Sequence, residues 1–166
     1  MSNVYFAADL HLGHKNICNY REQFETAAQH DAYIVDSVLS VAGKRNILWL
    51  LGDCFFTEES LSALREFKSA FMQVNFVIGN HDGDNAVRQE NLRKIFVDNL
   101  CDKVYSLVKY KGFWLSHAPI HPEELRGSKN IHGHCHNVVI SDTENYYCVS
   151  MEQIGYKPIN FNDIWK

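Results

Sequence analysis

Residues 47–53 read ILWLLGD, five apolar residues followed by a glycine and an aspartate. A short apolar run that is closed by a glycine is typical of a buried strand. Similar runs occur at residues 4–9, VYFAAD, and at residues 74–80, VNFVIGN. We therefore predict three buried strands, each followed directly by a polar side chain that lies at the carboxyl end of its strand.

The segments between these strands have apolar residues at helical spacing, and the last third of the chain is richer in strand patterns. Helices are predicted within residues 34–42, 61–71 and 92–100. Later strands are predicted at residues 104–110, 113–116, 137–141 and 146–151. The order βαβαβα followed by mostly β predicts an α/β fold, a two-sheet β-sandwich flanked by helices, in a single domain over residues 1–166.

Composition and charge narrow the classes of function. Acidic residues outnumber basic ones 20 to 16, which disfavours stable nucleic-acid binding. No apolar run reaches the ~18 residues of a membrane span, so no membrane partner is expected. The five cysteines are odd in number and none has C-x-x-C spacing, which favours reduced thiols in a cytoplasmic protein.

Histidine is the unusual residue of this chain, because eight of the nine histidines fall into three stretches. In open α/β sheets ligands bind at the carboxyl ends of strands, so polar residues that follow different strands are expected to meet at one edge. The polar clusters after the strands are Asp9-Leu10-His11, Gly52-Asp53, Gly79-Asn80-His81-Asp82, Ser116-His117 and Gly133-His134-Cys135-His136, and they contain seven candidate metal ligands. The glycines before three of these residues are expected to permit tight turns that direct the next side chain outward.

This ligand set mixes oxygen and nitrogen, which suits Mn, Fe, Zn, Co or Ni better than Mg or Ca. Seven ligands are too many for one tetrahedral ion and fit two ions that share a carboxylate. The cofactor prediction is therefore two divalent metal ions, with Mn favoured.

Five short motifs carry a resemblance to a known family. In chain order they read DLH from residue 9, GD from 52, GNHD from 79, SH from 116 and GHCH from 133. Together they resemble the calcineurin-like metallophosphoesterases, and the opening motif is most similar to a small phage and bacterial branch. The resemblance implies a four-layer sandwich. It also implies that Asp9, His11 and His136 hold one metal, that Asn80, His117 and His134 hold the other, and that Asp53 bridges them.

The same resemblance implies a metal-dependent phosphoesterase, either a phosphodiesterase or a phosphatase acting on a small monoester. A hydroxide that bridges the metals would attack in line, and His81 would protonate the leaving oxygen. His81 needs a carboxylate to orient it, and Asp82 is the adjacent candidate. Contacts with the substrate phosphate are predicted for His14, Asn16, Arg21 and His121, although solvated loop positions explain these residues equally well.

One departure from relatives affects substrate choice. The protein serine/threonine phosphatases carry an Asp and an Arg soon after the bridging aspartate, whereas this chain has Cys54, Phe55 and Phe56 there. The departure removes a phosphate-binding Arg and makes a phosphoprotein substrate less favoured. Two alternatives stay open, a scaffold of the same fold with weak or no catalysis and an oligonucleotide-directed nuclease. A homodimer is also left open.

Overall fold

The structure is a computed structural model that describes residues 2–166, and its nine strands form two sheets. The strands are β1 (Val4–Ala7), β2 (Gly43–Leu51), β3 (Phe71–Val77), β4 (Lys103–Tyr105), β5 (Leu107–Tyr110), β6 (Phe113–Ser116), β7 (Asn130–His132), β8 (Tyr146–Cys148) and β9 (Ile159–Asn160). The first sheet has the order β4-β3-β2-β1-β9 and the second β5-β6-β7-β8. The first four strands of the first sheet are parallel, and so are β6, β7 and β8 in the second.

Three helices of ten residues or more connect the early strands: α1 (Ala27–Leu39), α2 (Leu61–Ala70) and α3 (Ala86–Val97). A one-turn helix, α4 (Pro122–Leu125), follows β6. Local sequence sets where two of them begin, because the side chains of Thr26 and Asn85 accept hydrogen bonds from backbone N–H groups in the first turns of α1 and α3. None of the helices in residues 2–166 is long and apolar enough to span a membrane.

Alternating residues of the first sheet fill two separate apolar cores. Trp49 and Leu51 of β2 point between the sheets, where they pack with Leu115 and Ile131 of the second sheet. The intervening residues of β2 belong to a second core that includes residues of all three longer helices. Strands that are buried on both faces read as continuous apolar runs, and this is why residues 47–51 gave no alternating pattern.

The predicted α/β fold with two sheets and flanking helices is confirmed, with one strand misplaced. Residues 137–141 do not form a strand, and Val138 and Val139 are exposed there. The strand in this part of the chain is β7, which carries Asn130 and His132 at fully buried positions. Because these polar residues interrupt the apolar pattern by which a buried strand is recognised, the sequence did not predict β7.

The strand ends are hydrogen-bonded to one another at one edge of the sandwich. Asp9 donates its backbone N–H to the carbonyl of Gly52 at 3.0 Å, which links the ends of β1 and β2. In the second sheet, Gly133 donates to the carbonyl of His117 at 2.8 Å. A parallel bridge between Ala8 and Ser150 connects the segments that follow β1 and β8. These bonds hold the loops that carry the candidate ligands in fixed relative positions.

Candidate metal centre

The first group of candidate ligands consists of Asp9, His11 and His136, whose ligand atoms all lie within 4.8 Å of one another. Oδ1 of Asp9 lies 3.8 Å from Nε2 of His11 and 3.9 Å from Nε2 of His136. The structure thus brings together the three residues that the resemblance assigned to one metal, from the ends of two different sheets.

Three atoms of this group are buried without a hydrogen-bond partner within residues 2–166, namely Oδ1 of Asp9 and both ring nitrogens of His11. Two of these atoms, Oδ1 of Asp9 and Nε2 of His11, lie 3.8 Å apart. Leaving a buried polar atom unsatisfied costs about 1–3 kcal/mol, so native structures rarely contain one without a reason. A divalent cation placed among the three side chains would satisfy both atoms, and this donor set therefore fits a metal site.

The second group consists of Asp53, His117 and His134, with Asn80 beside them. The other ligand atoms of this group surround Nε2 of His117. This nitrogen lies 2.9 Å from Oδ1 of Asn80, 3.1 Å from Oδ2 of Asp53 and 3.3 Å from Nδ1 of His134. An amide oxygen, a carboxylate and two imidazoles that converge in this way are a second mixed donor set for a divalent ion.

The two groups share structural links. The backbone N–H of His134 donates to Oδ2 of Asp9 at 2.8 Å, so a residue of the second group holds the carboxylate of the first. Asp53 places Oδ2 toward the second group, while its Oδ1 accepts the backbone N–H of His81 at 2.8 Å. The bridging role of Asp53 stays a prediction.

The backbone of the candidate ligands is strained. Asp9, His11, Asp53, His134 and His136 all have positive φ angles, between 46° and 68°. Few residues other than glycine adopt this left-handed conformation, and residues that do so often lie at functional sites. Five of the seven candidate ligands share the strained geometry, so the surrounding packing fixes these turns against local preference.

The glycines that precede the ligands allow close approach between the loops. A Cβ on Gly79 would lie 2.2 Å from Oδ1 of Asp53, and one on Gly133 would lie 2.4 Å from Cβ of Ala8. Of the three glycines only Gly52 has a positive φ. At Gly79 and Gly133 glycine is required because another loop occupies the position of a side chain.

Charges at the site suit cation binding. Burial favours the neutral acid at Asp9, but contacts with His11, His117 and Ser150 outweigh it and lower the pKa of Asp9 to about 2. Burial also disfavours the charged form of His117, yet its hydrogen bond to Asp53 and the nearby carboxylate charges raise the pKa of His117 to about 9. Without a cation, His117 therefore carries a proton at neutral pH, and a metal would displace it.

Arg21 lies behind the first group and does not face substrate, contrary to the prediction. Its side chain is buried, and it donates to the carbonyl of Asp9 at 2.6 Å and to Oε1 of Glu152 at 2.9 Å. The same oxygen of Glu152 lies 3.2 Å from Nδ1 of His136. Because Glu152 orients a candidate ligand and Arg21 holds Glu152, both residues position the first group. No motif or spacing in the sequence connects Glu152 to the site.

Asp84, and not the predicted Asp82, is the carboxylate that faces His81. Oδ2 of Asp84 lies 2.7 Å from Nδ1 of His81. The carboxylate of Asp82 is buried and accepts the backbone N–H groups of Gly79 at 2.6 Å and Asp53 at 2.9 Å. Asp82 therefore joins the loops after β2 and β3. Because neighbouring side chains in a turn point in different directions, adjacency in the sequence did not identify the carboxylate that faces His81.

A cavity of about 460 Å³ opens beside the first group. His11, His81 and His136 face it, together with the predicted contact His14 and with Arg88, which the sequence analysis missed. Burial lowers the pKa of His14 to about 4, so its imidazole is neutral at pH 7. The spacing of Asp84 and Arg88, four residues apart, was the signal in the sequence for their ion pair.

The two other predicted substrate contacts, Asn16 and His121, do not line this cavity. Asn16 is exposed and lines a smaller adjoining depression together with His14 and Arg88. His121 is exposed at the start of α4, where its Nδ1 accepts the backbone N–H of Glu123 at 3.3 Å. His121 thus caps a helix, and nothing in its contacts links it to the two ligand groups.

Comparison with known proteins found a matching family model and two similar phage proteins. A sequence model described as calcineurin-like phosphoesterase matches residues 2–165. The chain is 33% identical to the Gene 66 protein of Mycobacterium phage L5 over 92 residues, which cover 54% of this chain and 44% of that protein. It is 26% identical to the Gene 66 protein of Mycobacterium phage D29 over 168 residues, which cover 86% of this chain and 83% of that protein. The match thus spans less than half the length of the L5 relative.

Two solved structures are similar to this chain, and the first has the same fold. A protein of unknown function from Aquifex aeolicus superposes with a TM-score of 0.74 and 24% identity, covering 99% of this chain and 98% of that one. A phosphopantetheinyl hydrolase from Mycobacterium tuberculosis gives a TM-score of 0.37 and 15% identity, over 72% of this chain and 42% of that one. The first likeness supports the fold assignment alone.

Proposed function

Because this chain belongs to the calcineurin-like phosphoesterase family, we propose that it hydrolyses a phosphodiester or a small phosphomonoester with the help of two divalent ions. The observation that carries the proposal is the pair of adjacent ligand groups, one centred on Oδ1 of Asp9 and one on Nε2 of His117. A single structural ion would need only one of them.

The residues that would hold the ions are those of the two groups. Asp9, His11 and His136 would bind one, Asn80, His117 and His134 the other, and Asp53 would contribute to both. When bound, the ions would supply positive charge toward the phosphate and lower the pKa of coordinated water. The mixed oxygen and nitrogen donors support Mn as the first metal to test, with Fe, Zn, Ni and Co as further candidates.

His81 would act as the general acid. Asp84 is ionised, because its contacts with His81 and Arg88 lower its pKa below the ordinary value. An ionised carboxylate can only accept, so Nδ1–H of His81 donates to it and Nε2 is left for the substrate. A proton on Nε2 would pass to the leaving oxygen, and Asp84 would stabilise the charged ring before transfer.

The test is a panel of p-nitrophenyl phosphate and bis-p-nitrophenyl phosphate with Mn, Ni, Zn or Mg, run on the wild type and on Asp53→Asn. We expect metal-dependent turnover of at least one ester by the wild type and a loss of about 100-fold or more in the variant, since the carboxylate faces the second group. Wild-type protein that binds metal but hydrolyses neither ester would favour the scaffold alternative. Equal activity in Asp53→Asn would contradict the role given to that residue.

A further inference from the structure

We propose that Arg88 binds a phosphate oxygen of the substrate and makes this site selective for phosphomonoesters over phosphodiesters. The inference rests on the proposed function and concerns the substrate class of the same site. Arg88 lines the cavity that His11, His81 and His136 also face. Its guanidinium lies over the ring of Phe56, with the central carbon 3.9 Å from the ring centroid.

Asp84 and Phe56 hold the guanidinium of Arg88 in place, but not all of its N–H groups have an acceptor. Both of its hydrogen bonds to Asp84, at 2.8 and 2.7 Å, use Nη1. Nε is buried and has no partner within residues 2–166, and over the same residues Nη2 makes no hydrogen bond. Because Nε is buried and Nη1 is bound to Asp84, Nη2 is the free donor of the guanidinium, and it can form a charge-assisted hydrogen bond with a phosphate oxygen.

Two other arginines use more of their nitrogens than Arg88 does. Arg21 uses all three, on Glu152, on the Leu10 and Asp9 carbonyls and on His30. Arg93, which lies further along α3 on the exposed surface, binds Glu90 through both Nε and Nη2. Arg88 lines the cavity, and its Nη2 makes no hydrogen bond within residues 2–166.

Phe56 connects Arg88 to the first ligand group. The Phe56 ring supports the guanidinium by a cation–π contact and also packs on His11, with ring centroids 4.7 Å apart. A positive side chain from α3 therefore reaches the cavity across the surface of an aromatic residue that borders the first ligand group.

The number of phosphate oxygens gives the selectivity. A phosphomonoester dianion has three non-bridging oxygens and a diester has two. If two oxygens face the two ligand groups, a monoester retains one for Arg88, whereas a diester presents an ester oxygen in its place. An ester oxygen is a weaker acceptor and carries less charge, so Arg88 contributes more to binding a monoester.

The test compares Arg88→Met, which keeps an apolar stem over Phe56 but removes the charge, with Arg93→Met as the matched control on α3. For Arg88→Met we expect kcat/KM for p-nitrophenyl phosphate to fall about 10- to 100-fold, the range for hydrogen bonds to charged groups. We expect a loss below about threefold for bis-p-nitrophenyl phosphate, and no change for either ester in Arg93→Met. Equal losses on both esters would overturn the proposal, because Arg88 would then act only through Asp84 and His81.

A binding measurement separates this inference from the proposed function. Titration of Mn-loaded protein with inorganic phosphate, followed by calorimetry, should show affinity about 10-fold weaker in Arg88→Met and partly restored in Arg88→Lys. Unchanged phosphate affinity in Arg88→Met would contradict the role of Arg88 whether or not the wild type hydrolyses an ester. A wild type that binds phosphate through Arg88 but turns over neither ester would instead contradict the proposed function alone.

Discussion

At the scale of single residues, carboxylates in this site have four separate tasks. Asp9 and Asp53 offer oxygens to the two ligand groups. Asp82 accepts backbone N–H groups and joins two loops, and Asp84 faces the exposed side of His81. Glu152 supports His136 from behind. Each task follows from what the oxygens touch, so each predicts a different result on removal of the charge.

Glu152→Gln should weaken metal binding at the first group. The substitution removes the negative charge that faces His136 and leaves the buried guanidinium of Arg21 without its ion pair. We expect a loss of about 10- to 100-fold in affinity for one ion and little change for the other, as for other partners of metal ligands. Calorimetric titration with Mn measures both sites. Glu124→Gln, on the exposed surface, is the control, and equal affinities in all three proteins would refute the role of Glu152.

Asp84→Asn should affect proton transfer and leave metal binding intact. Without the carboxylate, His81 is less well stabilised as the protonated acid, so an ester with a poor leaving group should lose about 10- to 100-fold in kcat. A p-nitrophenyl ester, whose leaving group needs little protonation, should lose less. Metal content by mass spectrometry should match the wild type. Identical losses on both leaving groups would count against the His81–Asp84 pair.

At the scale of elements, the site depends on how closely the loops after β2, β3 and β7 approach one another. Backbone hydrogen bonds join the loop after β2 to the loop after β1, and the loop after β7 to the loop after β6. The Asp82 side chain joins the loops after β2 and β3, and the glycines before the ligands leave space for neighbouring side chains. The site is therefore sensitive to small additions in the loops, even where no ligand is changed.

Gly79→Ala should destabilise the protein and reduce its metal content. The added methyl group would lie 2.2 Å from Oδ1 of Asp53, and backbone or ligand must move to relieve the overlap. Overpacking of this kind costs about 1–3 kcal/mol. Gly83→Ala is the control, because the nearest atom to its Cβ would be 3.9 Å away and its φ is not positive. Urea unfolding of the metal-free proteins should give a lower free energy of unfolding for Gly79→Ala than for Gly83→Ala. Coincident unfolding curves would contradict this prediction and show that the loops move apart at little cost.

The sequence was informative wherever one element determined the outcome. Apolar runs located β1 and the second halves of β2 and β3, and the rule for strand ends placed Asp9, Asp53 and Asn80 near one edge. The sequence could not reveal β7, whose buried Asn130 bonds to the carbonyl of Trp114 and to the Ser116 hydroxyl. It also could not choose between Asp82 and Asp84, because side-chain direction in the loop after β3 depends on contacts with the loop after β2.

At the scale of the whole molecule, the ends of the two sheets bring histidines and carboxylates together. Because these contacts change the pKa of His117, the free energy of unfolding depends on pH. In the metal-free protein the ordinary pKa of His117, 6.5, is raised to about 9 by Asp53 and nearby carboxylates against the effect of burial. A raised histidine pKa adds stability that is complete below about pH 6.5 and disappears as the pH rises through about 9.

The stability of metal-free wild type relative to His117→Gln should therefore fall by on the order of 3 kcal/mol between pH 6.5 and 9. With saturating Mn the trend should reverse, because the cation displaces the His117 proton and binds more tightly as that proton becomes easier to remove. Thermal unfolding of both proteins across this pH range measures the difference. A difference that stays constant with pH would show that His117 is not protonated in the metal-free fold.

The central claim is that side chains from both sheets hold two cations at adjacent positions. Crystals grown with Mn, measured at the Mn absorption edge, locate the ions directly by anomalous scattering. We predict two peaks, one contacting Oδ1 of Asp9 and Nε2 of His11 and His136, and one contacting Asn80, His117 and His134, with Asp53 contacting both. A single peak, or peaks bound by other residues while these side chains remain free, would contradict the account.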